Sequence, residues 1–491
     1  MFGKIKSFLF KNKTTSQTVA KNTVWLTISN FGGRLIRAAV VIYGARILGT
    51  AGWGVFSYAI TLAGFMSLFM DPGINAILTR NISRASEEDR RAIFSTTLLI
   101  KLVLLIIGVL IIVFIAPLFS TLPGTKILLP IVALILGFDT LRDFFSSLMR
   151  AREKMEWDAG IFILVNITIL IFGFIFLARV QSPSSLAWAY VTGTVFGTII
   201  AIIVLKEYFR EFFSYVSWKL VAPTLQSAWP FAVTSALGML LTNTDILIIS
   251  WMRTASDVGI YSAAIRIIQV LYLVPTIVQF STLPLLSRLA KKDNEKFRRV
   301  LEQTLRIIFL ISIPLVVGGI ILGTPLIVLI FGANYIGGSL AFKILMLTML
   351  VDFPAAIISN SIFAYDHQKN LIVASAIGGV LNVVLDVLFI PRFGITGSAV
   401  ATLIAQTASN WYLWHAMKKI NYFTVLPRLA KPAIAGIVMG LGCVLFMALG
   451  VNVAVNIIIS GAIYAGLLWM LREPILKDMK NILAPSGIQS L

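Results

Sequence analysis

The chain has 491 residues, of which 58% are hydrophobic and only 13% charged, and its mean hydropathy is +0.92. A soluble domain carries nearer 25% charged residues, so the composition excludes an ordinary globular protein and points to an all-α polytopic membrane protein. The formal net charge of +20 is not a nucleic-acid footprint, because the basic residues gather at alternate ends of successive apolar runs.

Residues 1–23 form a basic cytoplasmic segment with Lys4, Lys6, Lys11, Lys13 and Lys21, no acidic residue and no small-residue cleavage site. Phe2, Ile5, Phe8 and Leu9 fit a short helix lying on the cytoplasmic leaflet, and a disordered basic tail equally. Fourteen apolar runs follow, each long enough to cross a hydrocarbon core of about 30 Å. They predict fourteen transmembrane helices, arranged as two pseudo-symmetric six-helix lobes plus two extra C-terminal helices. The pseudo-symmetry comes from an internal repeat: "GVFSYA" (Gly54–Ala59) matches "GIYSAA" (Gly259–Ala264), and Ser83-Arg84 matches Ser287-Arg288. An even number of spans per copy gives both copies the same orientation, as in parallel-repeat transporters. The expected organisation is an N-lobe at 24–205, a cytoplasmic linker at 206–228, a C-lobe at 229–415, spans 13 and 14 within 432–471, and a cytoplasmic tail at 472–491.

Orientation follows from the loops. Most of the 41 Lys and Arg fall in the N-terminus, the even-numbered loops and the C-terminus, whereas the odd-numbered loops hold only Arg46, Lys126, Arg179, Arg253 and Arg392. The positive-inside rule then puts both termini in the cytoplasm of a cell membrane. Trp25, Trp53, Trp157, Trp188, Trp218, Trp229, Trp251 and Trp414 fall near expected span ends, as an aromatic belt requires. The largest outer loop, about 323–339, contains "IFGANYIGG" and is short enough to re-enter the membrane in part.

Several spans carry polar stripes. Span 1 places Thr27, Asn30, Arg34 and Arg37 on one helix face at spacings of three and four. Counted from Trp25, the two arginines lie about 14 and 18 Å along the helix, near the bilayer centre. Span 8 carries Ser262, Arg266 and Gln269, and Asp71, Asp245 and Asp386 sit on spans 2, 7 and 11. A charge at mid-membrane facing lipid costs at least ~2.5–3.5 kcal/mol, so these faces must meet one another or water. Either the acids pair with the arginines and hold helices together, or the helices line a wet cavity. In the second reading Arg34, Arg37, Arg266, Asn30 and Gln269 bind substrate, and Asp71, Asp245 and Asp386 serve coupling or gating. Lys101 and Lys343 are weaker candidates, since lysine snorkels. Asp139, Arg142 and Asp143 can satisfy one another at spacings of three and four. The planar fork of arginine suits a phosphate or pyrophosphate.

Nothing points to an enzyme or a resident cofactor. The single cysteine, Cys443, excludes a disulfide framework, and the two histidines, His367 and His415, lie at loop and helix-end positions. HExxH, GxSxG and GxxxxGK are all absent. A membrane glycosyltransferase or polymerase would need a larger outer loop.

The stretch "FAYDHQKNLIVASAIGGVLNVVLDVLFIPRFGITGSAVATLIAQ" (Phe363–Gln406) resembles the polysaccharide transporters of the multidrug/oligosaccharidyl-lipid/polysaccharide exporter superfamily. "ARILGTAGWGVFSYA", "DPGINAILTRNISR", "NTDILIIS" and "VGIYSAAIRI" look like spans of the same family. The resemblance implies a V-shaped exporter working by alternating access on a polyprenyl-(pyro)phosphate-linked oligosaccharide, flipped from inner to outer leaflet. It implies as partners this substrate, the bilayer and envelope polysaccharide synthesis proteins, with proton or monovalent-ion coupling unread. A lipid II flippase, or a cation-coupled multidrug exporter using Asp71, Asp245 and Asp386, stays open as the alternative.

Overall fold

The computed structural model describes residues 15–209 and 212–473, apart from a few side chains within its helices, among them that of Asn30. The expected amphipathic segment before residue 15 and the tail beyond 473 lie outside the described residues. Among those described there is no β-strand. Helices follow one another almost without loops, as the sparse turn residues between apolar runs require.

By contacts the chain divides into two compact units, Met1–Ser262 and Ala263–Leu491. The first begins with α1 (Thr15–Met66), whose 52 residues would reach about 78 Å if straight, more than twice the hydrocarbon core. It is not straight. Gly49, at φ +65° and ψ −179°, breaks the helix in a conformation open to glycine. After a 3₁₀ turn, Asp71 starts α2 (Ile74–Arg84): its Oδ1 accepts from the N–H groups of Gly73 (3.1 Å) and Asn75 (3.4 Å). Helix α3 (Glu87–Leu110) is capped by the Ser86 hydroxyl and runs on into a π-helical turn, Ile111–Ile115. Helices α4 (Thr125–Ala151), α5 (Met155–Arg179), α6 (Pro183–Val204) and α7 (Val221–Met252) complete the unit together with the start of α8 (Ala255–Leu271). Ser182 caps α6 with proline in the first helical turn.

Within this unit the second half of α1 crosses the start of α8 backbone to backbone. A Cβ on Gly54 would lie 1.8 Å from the carbonyl oxygen of Ala255, and one on Gly259 would lie 1.9 Å from that of Thr50. Ser262 donates to Ser57 at 3.2 Å, and Ser256 donates to Thr50 at 2.8 Å. The repeated motif thus brings its own copies together, Gly54 beside Gly259 and Ser57 beside Ser262. Trp53 departs from the aromatic-belt expectation. It is 1% exposed and packs against Phe56, whose ring meets Tyr190 of α6, whereas Trp157, Trp188, Trp218, Trp229 and Trp251 are exposed.

The second unit contains the rest of α8 and then α9 (Leu273–Leu289), α10 (Asn294–Ile321), α11 (Gly323–Phe331), α12 (Ser339–Ala364), α13 (Gln368–Ile420), α14 (Ala430–Ala448) and α15 (Val453–Met470). Gly394, at φ +59°, breaks the 53-residue α13 as Gly49 breaks α1. The segment near 323–339, expected as the largest outer loop, is a nine-residue helix followed by a 3₁₀ stretch, Ala333–Gly338. Helices α14 and α15 pack on α10: the Tyr464 hydroxyl donates to the Leu310 carbonyl at 2.9 Å over a core of Ala435, Met439 and Leu468. Glu302 accepts from Arg428 at 3.2 Å, and Arg306 bonds Glu473 at 2.7 Å.

Ten helices among the described residues are long and apolar enough to span a membrane, eleven if the bent pair Trp218–Leu240 and Asn243–Met252 is taken as one span. The difference from fourteen has identifiable causes. α1 and α13 each run through two expected spans, and α4, which carries Asp139, Arg142 and Asp143 within its length, falls short of an apolar helix.

Candidate functional site

The arginine pair lies on α1, twelve or more residues before the Gly49 break. That is about 18 Å along the helix for Arg37 and about 22 Å for Arg34. Arg34 is exposed, and among the described residues it has no hydrogen-bond or ion-pair partner. Arg37 is held. Its Nε donates to Asn166 Oδ1 at 2.9 Å, and Asn166 is itself fixed by donating to the Phe162 carbonyl at 2.7 Å. The Phe162 ring lies within 5.9 Å of the Arg37 guanidinium and 5.6 Å of that of Arg142. Gly33 makes this approach possible, because a Cβ there would stand 2.3 Å from the Phe162 ring. The glycine beside Arg34 therefore sets how closely α5 lies against the arginines.

On α4, Arg142 is 5% exposed and bonds Asp139 at 2.9 Å and Asp143 at 2.6 Å. These carboxylates keep 31% and 49% of their side-chain surface while Arg142 is buried, so the cluster presents acidic groups beside Arg37. Asp71 is committed elsewhere: it caps α2 and bonds the fully buried Lys101 at 3.2 Å. Asp245 is 3% exposed and accepts from the Tyr261 hydroxyl.

In the second unit Arg266 donates to Gln269 at 2.8 Å, one helical turn away. Asp386 and Asn382 lie fully buried one turn apart on α13, and Asn382 donates to Thr402 at 3.4 Å. The structure adds a carboxylate that the sequence reading left unassigned. Asp352, on α12, accepts from the Tyr272 hydroxyl and from Asn410 at 2.6 Å. The Gln406 amide, with its nitrogen toward the carboxylate, donates at 2.5 Å. The partners of Asp352 are thus neutral, unlike those of Asp71 or Asp139. An acidic residue inside the apolar run "MLTMLVDFPAA" was the available signal, but its partners lie 58 and 80 residues away. Among the described residues no group of three or more His, Cys, Asp and Glu is placed to hold a metal ion.

Residues 19–290 match the family model for polysaccharide biosynthesis protein. The chain belongs to this family. It lies within the multidrug/oligosaccharidyl-lipid/polysaccharide exporter superfamily, and a second family model, MatE, matches residues 230–388. Among relatives, a probable low-salt glycan biosynthesis flippase of Haloferax volcanii is 24% identical, over 79% of this chain and 81% of its own. A putative O-antigen transporter of Shigella flexneri is 23% identical, over 78% and 94%. The fold is shared with the lipid II flippase MurJ in its inward closed conformation, at a TM-score of 0.75 and 20% identity, covering 92% of this chain and 100% of that one. This family member is therefore an all-α, multi-pass membrane protein.

Proposed function

We propose that the chain is a flippase for a polyprenyl-(pyro)phosphate-linked oligosaccharide, carrying it from inner to outer leaflet by alternating access for envelope polysaccharide biosynthesis. In this reading α1 and α13 each cross the membrane twice, fourteen spans result, and both termini are cytoplasmic. The observation that carries the proposal is the arginine pair within α1, twelve and fifteen residues before the Gly49 break, which in this reading lies at mid-membrane depth. Arg34 projects without a partner among the described residues, and Arg37 is held by Asn166 with part of its guanidinium left to donate. A guanidinium there is too costly against lipid, so it faces water or an anion, and its fork fits a phosphate. The glycan-flippase and O-antigen-transporter names of the relatives support the same cargo class. Arg266 and Gln269 would contact cargo in the second unit, and Asp245 and Asp386 would couple transport to a proton or monovalent ion.

The test is translocation of a fluorescent prenyl-pyrophosphate sugar in reconstituted vesicles. Arg34→Ala and Arg37→Ala should each lower the rate about tenfold or more, the scale of one lost charge-assisted hydrogen bond. Lysine at either position should rescue only in part. Full activity in both alanine variants would sink the assignment. The MatE match over 230–388, which contains Asp245 and Asp386, favours a second reading as a cation-coupled drug exporter. That reading requires Asp245→Asn and Asp386→Asn to abolish efflux of a cationic dye that Arg34→Ala leaves unchanged.

A further inference from the structure

The second unit contains a cavity of about 630 Å³ at the end that the charge pattern assigns to the cytoplasm. Lys291, just beyond α9, forms one side. His367 and Asn370, at the start of α13, form another, and Tyr412, His415 and Lys419, in its last turns, close it. Both histidines of the chain line this one space. Tyr365 ties its wall, donating to Asn294 at 2.7 Å and accepting from Asn421 at 2.9 Å.

The two lysines and the Asn370 amide supply donors to the cavity. Tyr412 donates to Asn370 Oδ1 at 3.1 Å, which occupies the amide oxygen and leaves the amide nitrogen available. Among the described residues the Lys419 ammonium and the His367 ring make no hydrogen bond. His415 donates from Nδ1–H to the Trp411 carbonyl at 2.8 Å, which makes Nε2 of the neutral ring an acceptor, so this side chain donates to a phosphate oxygen only as the imidazolium. The acid at the rim, Asp366, is bonded to Lys291 at 2.6 Å, and that bond and charge hold its carboxyl below the usual carboxylate range. Lys291 and Asp366 both have left-handed backbones, φ +62° and +63°, a conformation that side chains other than glycine rarely adopt. Such strain persists where surrounding structure enforces it, and it accompanies binding sites.

One helix face fixes the kind of ligand. Lys419, His415, Trp411 and Ile404 succeed one another on α13 at spacings of four, four and seven, leading from the helix end toward the membrane interior. Trp411 is 66% exposed and its ring lies 4.5 Å from that of His415, and Ile404 is 40% exposed. The face changes from cationic to apolar in the direction that a lipid changes from headgroup to chain.

We propose that this cavity binds the phosphate of an inner-leaflet lipid, with Lys291, Lys419, His415 and the Asn370 amide around the phosphate and the lipid chain along Trp411 and Ile404. The inference rests on the cytoplasmic orientation proposed above but not on the identity of the cargo. The lipid is either an anionic phospholipid of the bilayer or a prenyl phosphate carrier, and the experiment separates them. Purified, delipidated full-length chain is offered phosphatidylglycerol, phosphatidylcholine or a polyprenyl monophosphate, and retained lipid is counted by native mass spectrometry. Wild type should retain an anionic lipid in preference to phosphatidylcholine. Lys291→Gln and Lys419→Gln should each weaken retention on the order of tenfold, and Lys419→Arg should preserve it. Preference for the polyprenyl monophosphate identifies a carrier site, and equal retention of phosphatidylglycerol identifies a bilayer lipid site. Equal retention of phosphatidylcholine, or unchanged retention in the Lys291→Gln/Lys419→Gln double variant, overturns the proposal. Arg34→Ala separates the two readings: it should keep the lipid here whether or not transport is lost.

Discussion

Lys101 is fully buried and bonded to Asp71, which retains 23% of its side-chain surface. Removing one partner of such a pair leaves an uncompensated charge. Lys101→Met should therefore destabilise by about 3 kcal/mol, the low end for a buried pair because Asp71 keeps some exposure. Neutralising both, as Lys101→Met with Asp71→Asn, should recover most of that loss in thermal unfolding. If the double variant still transports, Asp71 is structural; transport lost at wild-type stability would make it a coupling residue. The arginines of span 1 were legible in sequence because intramembrane arginine is rare and conspicuous. Asn166, which holds Arg37, was not, since 129 residues separate them and an asparagine in an apolar run gives no direction. Gly33 likewise acquires its meaning only from the Phe162 ring that fills the space of its missing Cβ.

At the scale of elements, the crossing of α1 and α8 shows why the repeated motif keeps glycine. The backbones meet so closely that any side chain at Gly54 or Gly259 would overlap a carbonyl. Gly54→Leu should either prevent stable insertion or separate the helices, at a cost of at least about 1–3 kcal/mol from overpacking. Size-exclusion profiles and the unfolding temperature in detergent would register it, and a wild-type profile would refute the crossing. The similarity between "GVFSYA" and "GIYSAA" suggested common ancestry of two segments. That the two segments touch is a separate fact, carried by Ser57 and Ser262 at 3.2 Å. Helix breaks followed the opposite course. Glycines were visible in "RILGTAG" and "PRFGITG", but only the positive φ of Gly49 and Gly394 identifies the residue where each long helix turns.

For the whole molecule, the expected topology can be checked without any transport assay. Lys126→Cys, in an odd-numbered loop, should react with a membrane-impermeant maleimide applied to intact cells. Lys292→Cys, in an even-numbered loop beside the proposed lipid site, should react only after permeabilisation. The native Cys443 is fully buried and contributes little background. Reversed labelling would invert the orientation, and with it the leaflet assigned to the phosphate pocket.

The sequence by itself determined the solvent, the helical class and the family. Those follow from composition, from runs matched to bilayer thickness and from loop charge, all of which are local or additive along the chain. Partnership required tertiary structure. Whether Asp71 meets an arginine or Lys101, whether Trp53 faces the interface or the core, and whether the two histidines share a cavity depend on side chains distant in sequence. Periodicity gives the face of a helix on which a residue lies, but only packing decides what that face meets. In "ISNFGGRLIRAAVVIYGARILG" the arginines could be read as an anomaly from the residues alone; their different standing, Arg37 held and Arg34 projecting, comes from how α5 lies against α1.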